Sequence, residues 1–546
     1  MIPFNHNYFL GYINEVTPIF VKVHFPSSNL LSNFYIYGKN YNGGNVGNFI
    51  VIEGDEYGFI ARIVEINLPD SERKAMSEKA IEYVGSEFHP SGKAELLCCF
   101  NIFEPEITYK TVARYPSIGA KVYSCSDEQI SMYIREFGKK EKTSIFVSIG
   151  KLTTNNVNCN ISLNSFFGRH CAVVGTTGGG KSWTISKLIE SVIGNTKNKI
   201  ILIDATGEYQ NITENHAIFG KKTLFSYKYL SNSDFCFLFQ EHSPNTIASL
   251  CEAIHTLKLI NLGLLQDGIK IGKNSDVINN IVRENIHLFK DCNFDITKLA
   301  TQIKNECVRV GRNGIYEEDN FKLGYTSHLI ARINLFLNNE VLCSALGITE
   351  NPIISNDIIN IIESFIKRSN KKTILRIGFE NLAYDFSIRE LIVDFIASFL
   401  LKNARKNKFK KFPLLLFIDE AHQFLNKRIN TEEDTVFYLQ NIDLIAKECR
   451  KYGLFLCLST QMPRDIPIGT LSQMGTFLVH RLINEQDKRA IENASAATNR
   501  NILNFLPILG EGEALLVGVD FPMPLLIKVD APIHPPISDT PVLTAR

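Results

Sequence analysis

Residues 171–190 read CAVVGTTGGGKSWTISKLIE, and the interpretation of the whole chain starts there. Cys171, Ala172, Val173 and Val174 form a short apolar run of the kind that makes a buried strand. A glycine-rich stretch follows, after which Ile185, Leu188 and Ile189 fall at helical spacing. Strand, loop and helix are the context that the pattern G-x-x-x-x-G-K-[ST], here Gly175 to Ser182, demands. Glycines let backbone N–H groups turn toward phosphate oxygens, and the helix N-terminus adds partial positive charge. Lys181 would reach the outer phosphates, and the Ser182 hydroxyl is a magnesium ligand in such loops. The expected nucleotide-binding residues are therefore Gly175, Thr176, Thr177, Gly178, Gly179, Gly180, Lys181, Ser182 and Trp183. A plain glycine-rich surface turn explains neither the strand before the loop nor the helix after it.

A second stretch supplies what phosphate binding alone lacks. LLLFIDE (414–420) is an apolar strand ending in two carboxylates. Asp419 would hold magnesium and Glu420 would position and deprotonate the attacking water, which points to hydrolysis of ATP with Mg2+. Further on, Leu454 to Leu458 form another apolar run capped by Ser459, Thr460 and Gln461, and a polar residue at such a tip can sense the γ-phosphate. Arg450 precedes that strand and would serve a neighbouring subunit as an arginine finger. Arg481, in VHRLINEQDKRAI, is a weaker candidate for the same task.

Composition sets the frame. The chain has 546 residues, which makes two or three domains the prior, and its net charge of +1 excludes a basic field over the whole surface. Any nucleic-acid contact must come from local patches or a pore. Twelve cysteines with no C-x-x-C pair argue against a zinc ribbon or a disulfide frame and fit a reducing cytoplasm. The first residues lack the charged and apolar regions of a signal peptide. LIVDFIASFLL (391–401) is short and carries Asp394, so it reads as a core helix and not a membrane span.

Along the chain, residues 1–145 show six short β-type runs, FLGYI, IFVKVHF, NFIVIEG, YGFIARIVEI, AELLCCFNIF and the run around VARYPSIGAKVYSC, which suggest a small barrel. Residues 70–88 break that rhythm as a helix or long loop. Residues 140–170 read as a linker and the entry to a core of about 146–530, with KLTTNNVNCNISLN (151–164) as an extended, asparagine-rich segment. NKIILIDATGEY (198–209) is a second core strand ending at Asp204, a position where parallel sheets place ligands. Helical spacing over about 240–370 marks a mostly α insertion, and KKTILRIGFENL restores a strand. The basic turn from Lys402 to Lys411 reads as a solvated helix end. The proline-rich tail 531–546 cannot be a helix and is expected to be an extended arm across a neighbouring subunit.

Taken together, GRHCAVVGTTGGGKS, IDATGEY, LLLFIDEAHQFL, AKECRKYGLFLCLSTQMP and LSQMGTFLVHRLINEQD resemble, in order, the motifs of the HerA family of hexameric ATPases, within the HerA and FtsK group. The resemblance implies an α/β fold: a RecA-like P-loop ATPase core with a helical insertion, preceded by an N-terminal β-barrel for assembly. It implies a homo-hexamer around double-stranded DNA, with Arg169 and Arg450 acting on nucleotide at subunit boundaries and Glu420 as the catalytic carboxylate. It also implies an effector partner, a nuclease or a sirtuin-like protein, docked through the barrel, and allows a branch in antiviral defence. DATGEY, where the family has a histidine before the glycine, and KEC before Arg450 depart from the pattern. Two functions remain open at this level: an ATP-driven DNA translocase or helicase, and an ATP-gated ring scaffold that assembles and activates an effector. Lys427 and Arg428 are candidate DNA contacts. No NKxD segment supports a GTPase, and nothing resembles the acceptor site of a metabolite kinase.

Overall fold

Alternation of inward and outward side chains builds the N-terminal region of the computed structural model, which describes residues 4–36, 39–41, 43–70, 72, 88–105, 108–109, 114–139, 141–154, 157–289, 292–349, 356–425, 428–430, 436–495 and 500–537. Most of the expected helix or loop at 70–88 lies outside these residues, as do Lys427 and 538–546 of the tail; Arg428 begins a short strand, Arg428–Asn430. The chain divides into two compact units. One is Met1–Lys197 with Phe455–Arg464 and Ile468–Pro535; the other is Asn198–Leu454 with Asp465–Pro467 and Pro536–Arg546.

The first unit opens with β1 (Phe9–Val16), β2 (Phe20–His24), β3 (Phe49–Ile52), β4 (Tyr57–Asn67), β5 (Ser91–Asn101), β6 (Thr108–Tyr109) and β7 (Lys121–Ser124). The order β2-β1-β7-β3-β4-β5, closed by pairing of β5 on β2, is a six-stranded antiparallel barrel, with β6 added on β5. Its strands coincide with the six β-type runs. Val21, Val23, Ile50, Ile52, Phe59, Ala61 and Ile63 fill the interior. FIARIV (59–64) alternates only imperfectly between apolar and polar residues, and the structure supplies the cause: β4 shifts register against β5 at Ile60/Ala61 and again at Ile63/Glu65. Between those shifts Arg62 is buried, faces Glu95 at 3.5 Å and lies 5.4 Å from the centre of the Phe505 ring.

A short capped helix, α1 (Asp127–Ile134), follows the barrel. The core elements are, in chain order, β8 (Phe146–Leu152), β9 (Asn158–Ser162), β10 (Cys171–Val174), α2 (Lys181–Asn195), β11 (Lys199–Asp204), β12 (His216–Ile218), α3 (Pro244–Asn261), α4 (Leu299–Asn305), α5 (Asn320–Leu337), β13 (Ile374–Gly378), α6 (Ile388–Arg405), β14 (Leu414–Ile418), α7 (Asn441–Glu448), β15 (Leu454–Thr460), β16 (Thr476–Val479), β17 (Glu513–Gly518) and β18 (Leu525–Val529).

In the first unit the strands run β9-β8-β18-β17-β16-β10-β15. β10 is parallel to both its neighbours, and the rest pair antiparallel. The stretch read as a linker is thus largely sheet: Val147, Ile149, Cys159 and Ile161 alternate inward and seat β8 and β9. In the second unit β14-β11-β13-β12 are all parallel. There α3 and α5 each pack on α4, forming the expected helical insertion. α6 contains the apolar run 391–401 and buries Leu391, Ile392, Ile396 and Leu400. The basic turn after α6 is mostly exposed, with Arg405 paired to Glu448 at 2.9 Å.

All twelve cysteines are free thiols, ten buried and two, Cys251 and Cys292, partly exposed. No helix among the described residues is long and apolar enough to cross a membrane.

Candidate nucleotide site

In the first unit, the parallel pairing of β10 with β15 and β16 sets Val174 level with Thr460 on one side and Val479 on the other. The loop leaving β10 therefore emerges between two strand tips, and both hold it. Gly175 N–H donates to Thr460 O at 3.3 Å, Thr176 N–H to Arg481 O at 3.0 Å, and Gly512 N–H to Gly179 O at 3.3 Å. Thr177 Oγ1 meets Gln461 Oε1 at 2.5 Å, so the sensor expected at the tip of β15 touches the loop itself.

The glycines have separate reasons to be there. A Cβ on Gly175 would lie 2.5 Å from His480 Cβ. Gly178 and Gly180 hold φ at +72° and +100°, where side chains are strained. Gly180 is the N-cap of α2 and, having no side chain, makes no side-chain capping hydrogen bond. Such a turn, with buried Lys181 donating to Thr176 O at 3.2 Å, fits a phosphate chain. Ser182 follows in the first turn, and Trp183 is 44% exposed.

Sequence reasoning missed His480. It is fully buried, with Nε2 2.9 Å from Thr184 Oγ1 and Nδ1 2.9 Å from Glu513 O. Burial, more than any neighbouring charge, pushes its pKa down to about 4. Its only signal was position: it stands beside Arg481 just past an apolar strand. Arg481 contributes its carbonyl, to Thr176 N and Oγ1. Arg169 pairs with Asp520 at 3.1 Å, while its carbonyl accepts from Gly475 N–H at 2.8 Å.

The second unit holds the acidic tip. β14 ends at Ile418, and Asp419 N–H continues the ladder to Ile203 O at 3.0 Å. Both Asp419 and Glu420 are buried. Glu420 sits in the left-handed region with φ +47°, a conformation that costs energy outside glycine and clusters at functional sites. His422 Nδ1 approaches its carboxylate at 3.3 Å, a contact the sequence did not announce. Asp204, expected to face a ligand, is occupied differently: it accepts from Arg376 at 2.6 Å and from the N–H groups of Gly207 and Tyr209. Arg376 also reaches Glu380 at 3.0 Å, so this ion pair organises the turn after β11. Arg450 is exposed, in the turn Cys449–Tyr452 after α7.

Comparison with known proteins decides the lineage. The family model described as Helicase HerA, central domain, matches residues 147–404, and the one described as Helicase HerA-like C-terminal matches 404–546. The chain belongs to the HerA family. A DNA double-strand break repair helicase HerA of Sulfolobus acidocaldarius is 26% identical over 76% of this chain and 74% of that protein. Its counterpart in Sulfurisphaera tokodaii is 23% identical over 89% of this chain and 88% of that one. Among solved structures, VirB4 of Thermoanaerobacter pseudethanolicus aligns with a TM-score of 0.45 at 14% identity, covering 72% of this chain and 98% of that one. The two HerA matches divide the candidate residues between them: the central part spans Arg169 and Gly175 to Trp183, and the C-terminal part spans Asp419, Glu420, Arg450, Gln461 and His480.

Proposed function

We propose that the protein is an ATP-hydrolysing motor that moves along or unwinds double-stranded DNA as a homo-hexamer. The observation that carries this reading is the glycine cradle leading into the start of α2, in a chain of the HerA family that also presents Asp419 and Glu420 at a strand tip. Gly175 to Trp183 would hold the triphosphate, and Ser182 with Asp419 would hold magnesium. When bound, MgATP supplies the phosphoanhydride to be cleaved and the ion that neutralises its charge. Glu420 would orient water and take its proton, Gln461 would sense the γ-phosphate through Thr177, and Arg450 and Arg169 would complete a neighbouring subunit's site.

Support for the DNA substrate comes from the HerA relatives named for double-strand break repair. An effector would dock on the barrel, where Phe103 and Ile118 are 80% and 74% exposed. That same observation favours the second reading, a ring scaffold that activates an effector. The tail would brace a neighbour beyond Ile537. Up to that point it is tied at home: Ile533 and His534 N–H donate to Glu190 of α2 at 2.9 and 2.6 Å.

The test is phosphate release by purified protein with and without duplex DNA, beside Glu420→Gln. Stimulation by DNA, and loss of about 10² to 10⁴-fold in the variant with ATP still bound, is the expected outcome. Stimulation only by a partner protein would select the scaffold. A fully active Glu420→Gln would remove the catalytic assignment.

A further inference from the structure

Thr184 lies two residues beyond Ser182 and is 1% exposed, as the first deeply buried side chain of α2 after Lys181. Its hydroxyl is 2.9 Å from His480 Nε2, while His480 Nδ1 is 2.9 Å from Glu513 O. A carbonyl oxygen can only accept, so Nδ1 carries the ring hydrogen and Nε2 presents its lone pair to the Thr184 hydroxyl. The chain Thr184 O–H to His480 to Glu513 O is then fully paired, and burial keeps the ring uncharged above about pH 4.

Backbone contacts extend the same bracket. His480 N–H donates to Val174 O at 2.7 Å, the last residue of β10. The His480 Cβ sits against Gly175 and Gly179, at 2.5 and 3.4 Å from where their Cβ atoms would be. Gly512, next to Glu513, lies 2.9 Å from the equivalent position on Gly180 and donates its N–H to Gly179 O. His480 thus holds the end of β10 through its backbone and lies against the loop glycines through its Cβ, while its imidazole alone links the first turn of α2, at Thr184, to Glu513 in the turn before β17. None of these atoms needs to touch nucleotide.

We propose that His480 and Thr184 are positioning residues for ATP hydrolysis, holding the first turn of α2, and with it Lys181 and the helix N–H groups, at the height the phosphates require. This rests on the reading of the loop as an ATP site. Small misplacement of such groups costs rate out of proportion to binding.

The test uses the full chain and its single tryptophan, Trp183, whose fluorescence reports ATP binding next to the loop. Thr184→Val keeps the side-chain shape and removes the hydroxyl. It is expected to lower kcat about tenfold, with the ATP affinity read at Trp183 changed less than about threefold and the melting temperature little moved. His480→Asn, which keeps a donor for Glu513 O but cannot reach Thr184, should give the same split, and Thr184→Ser should restore kcat. The proposal is overturned if both disruptive variants keep kcat within about twofold of the parent, or if their loss of kcat only follows a loss of folded protein. Failure of the parent chain to bind ATP at Trp183 would instead overturn the ATP-site reading itself.

Discussion

Gly180 combines a left-handed backbone, φ +100°, with a Gly512 Cα only 2.9 Å from where a Cβ would stand. Alanine there meets strain and main-chain contact together. Gly180→Ala is expected to cost about 1 to 3 kcal/mol and to weaken ATP binding by more than tenfold, read by thermal unfolding and nucleotide titration. Substituting Gly194, whose Cβ would meet nothing within 4 Å, is the matched control for helix packing. Glu420 offers the opposite lesson, since a carboxylate holds φ at +47° where glycine would be the relaxed choice. Such a conformation at a strand tip costs energy, which the proposed water-activating role of Glu420 would account for.

At the scale of elements, α6 and α7 meet through one acid. Asp394 accepts from the N–H and the side-chain amide of Asn441, at 2.8 and 2.6 Å, at the start of α7, the helix that leads to Arg450. Burial raises the Asp394 pKa to about 6 against the hydrogen bonds that pull it down. The sign follows: the folded chain binds more protons than the unfolded one between about pH 4 and 6. The stabilisation from Asp394 is therefore present at low pH and lost as pH rises through 6. Asp394→Asn should gain stability relative to the parent as pH goes from 4 to 7, by about 3 kcal/mol at most, measured by urea unfolding across pH.

Elements were also what the amino-acid order disclosed best. Short β-type runs separated by turns announced the six barrel strands, and the P-loop and Ile-Asp-Glu runs announced β10, α2 and β14, because each signal is local. Residues 146–162 looked like a linker because asparagines mask an alternation that becomes meaningful only beside β18. His480 stayed hidden for the same reason: its role depends on β16 lying next to β10, a neighbour far away in sequence.

For the whole molecule, the decisive question is whether subunits complete one another. Arg450→Ala and Glu420→Gln should each be nearly inactive, the first by about 10³ to 10⁵-fold if the arginine works as a finger. Mixed and reassembled, they should recover measurable ATP hydrolysis, because an Arg450→Ala pocket keeps its glutamate and can receive Arg450 from its neighbour. No recovery, in a mixture shown by native mass spectrometry to contain both variants, would end the shared-site reading. The distribution of thiols has a practical corollary for such experiments. Ten of the twelve are sealed in the interior, while Cys251 and Cys292 are partly open on the helical insertion, and the hydrogen bond from Cys236 lowers the Cys251 pKa to about 7. Maleimide or alkylating tags should therefore settle first on Cys251, giving the unmutated protein a single-site chemical handle far in sequence from every residue assigned to the nucleotide.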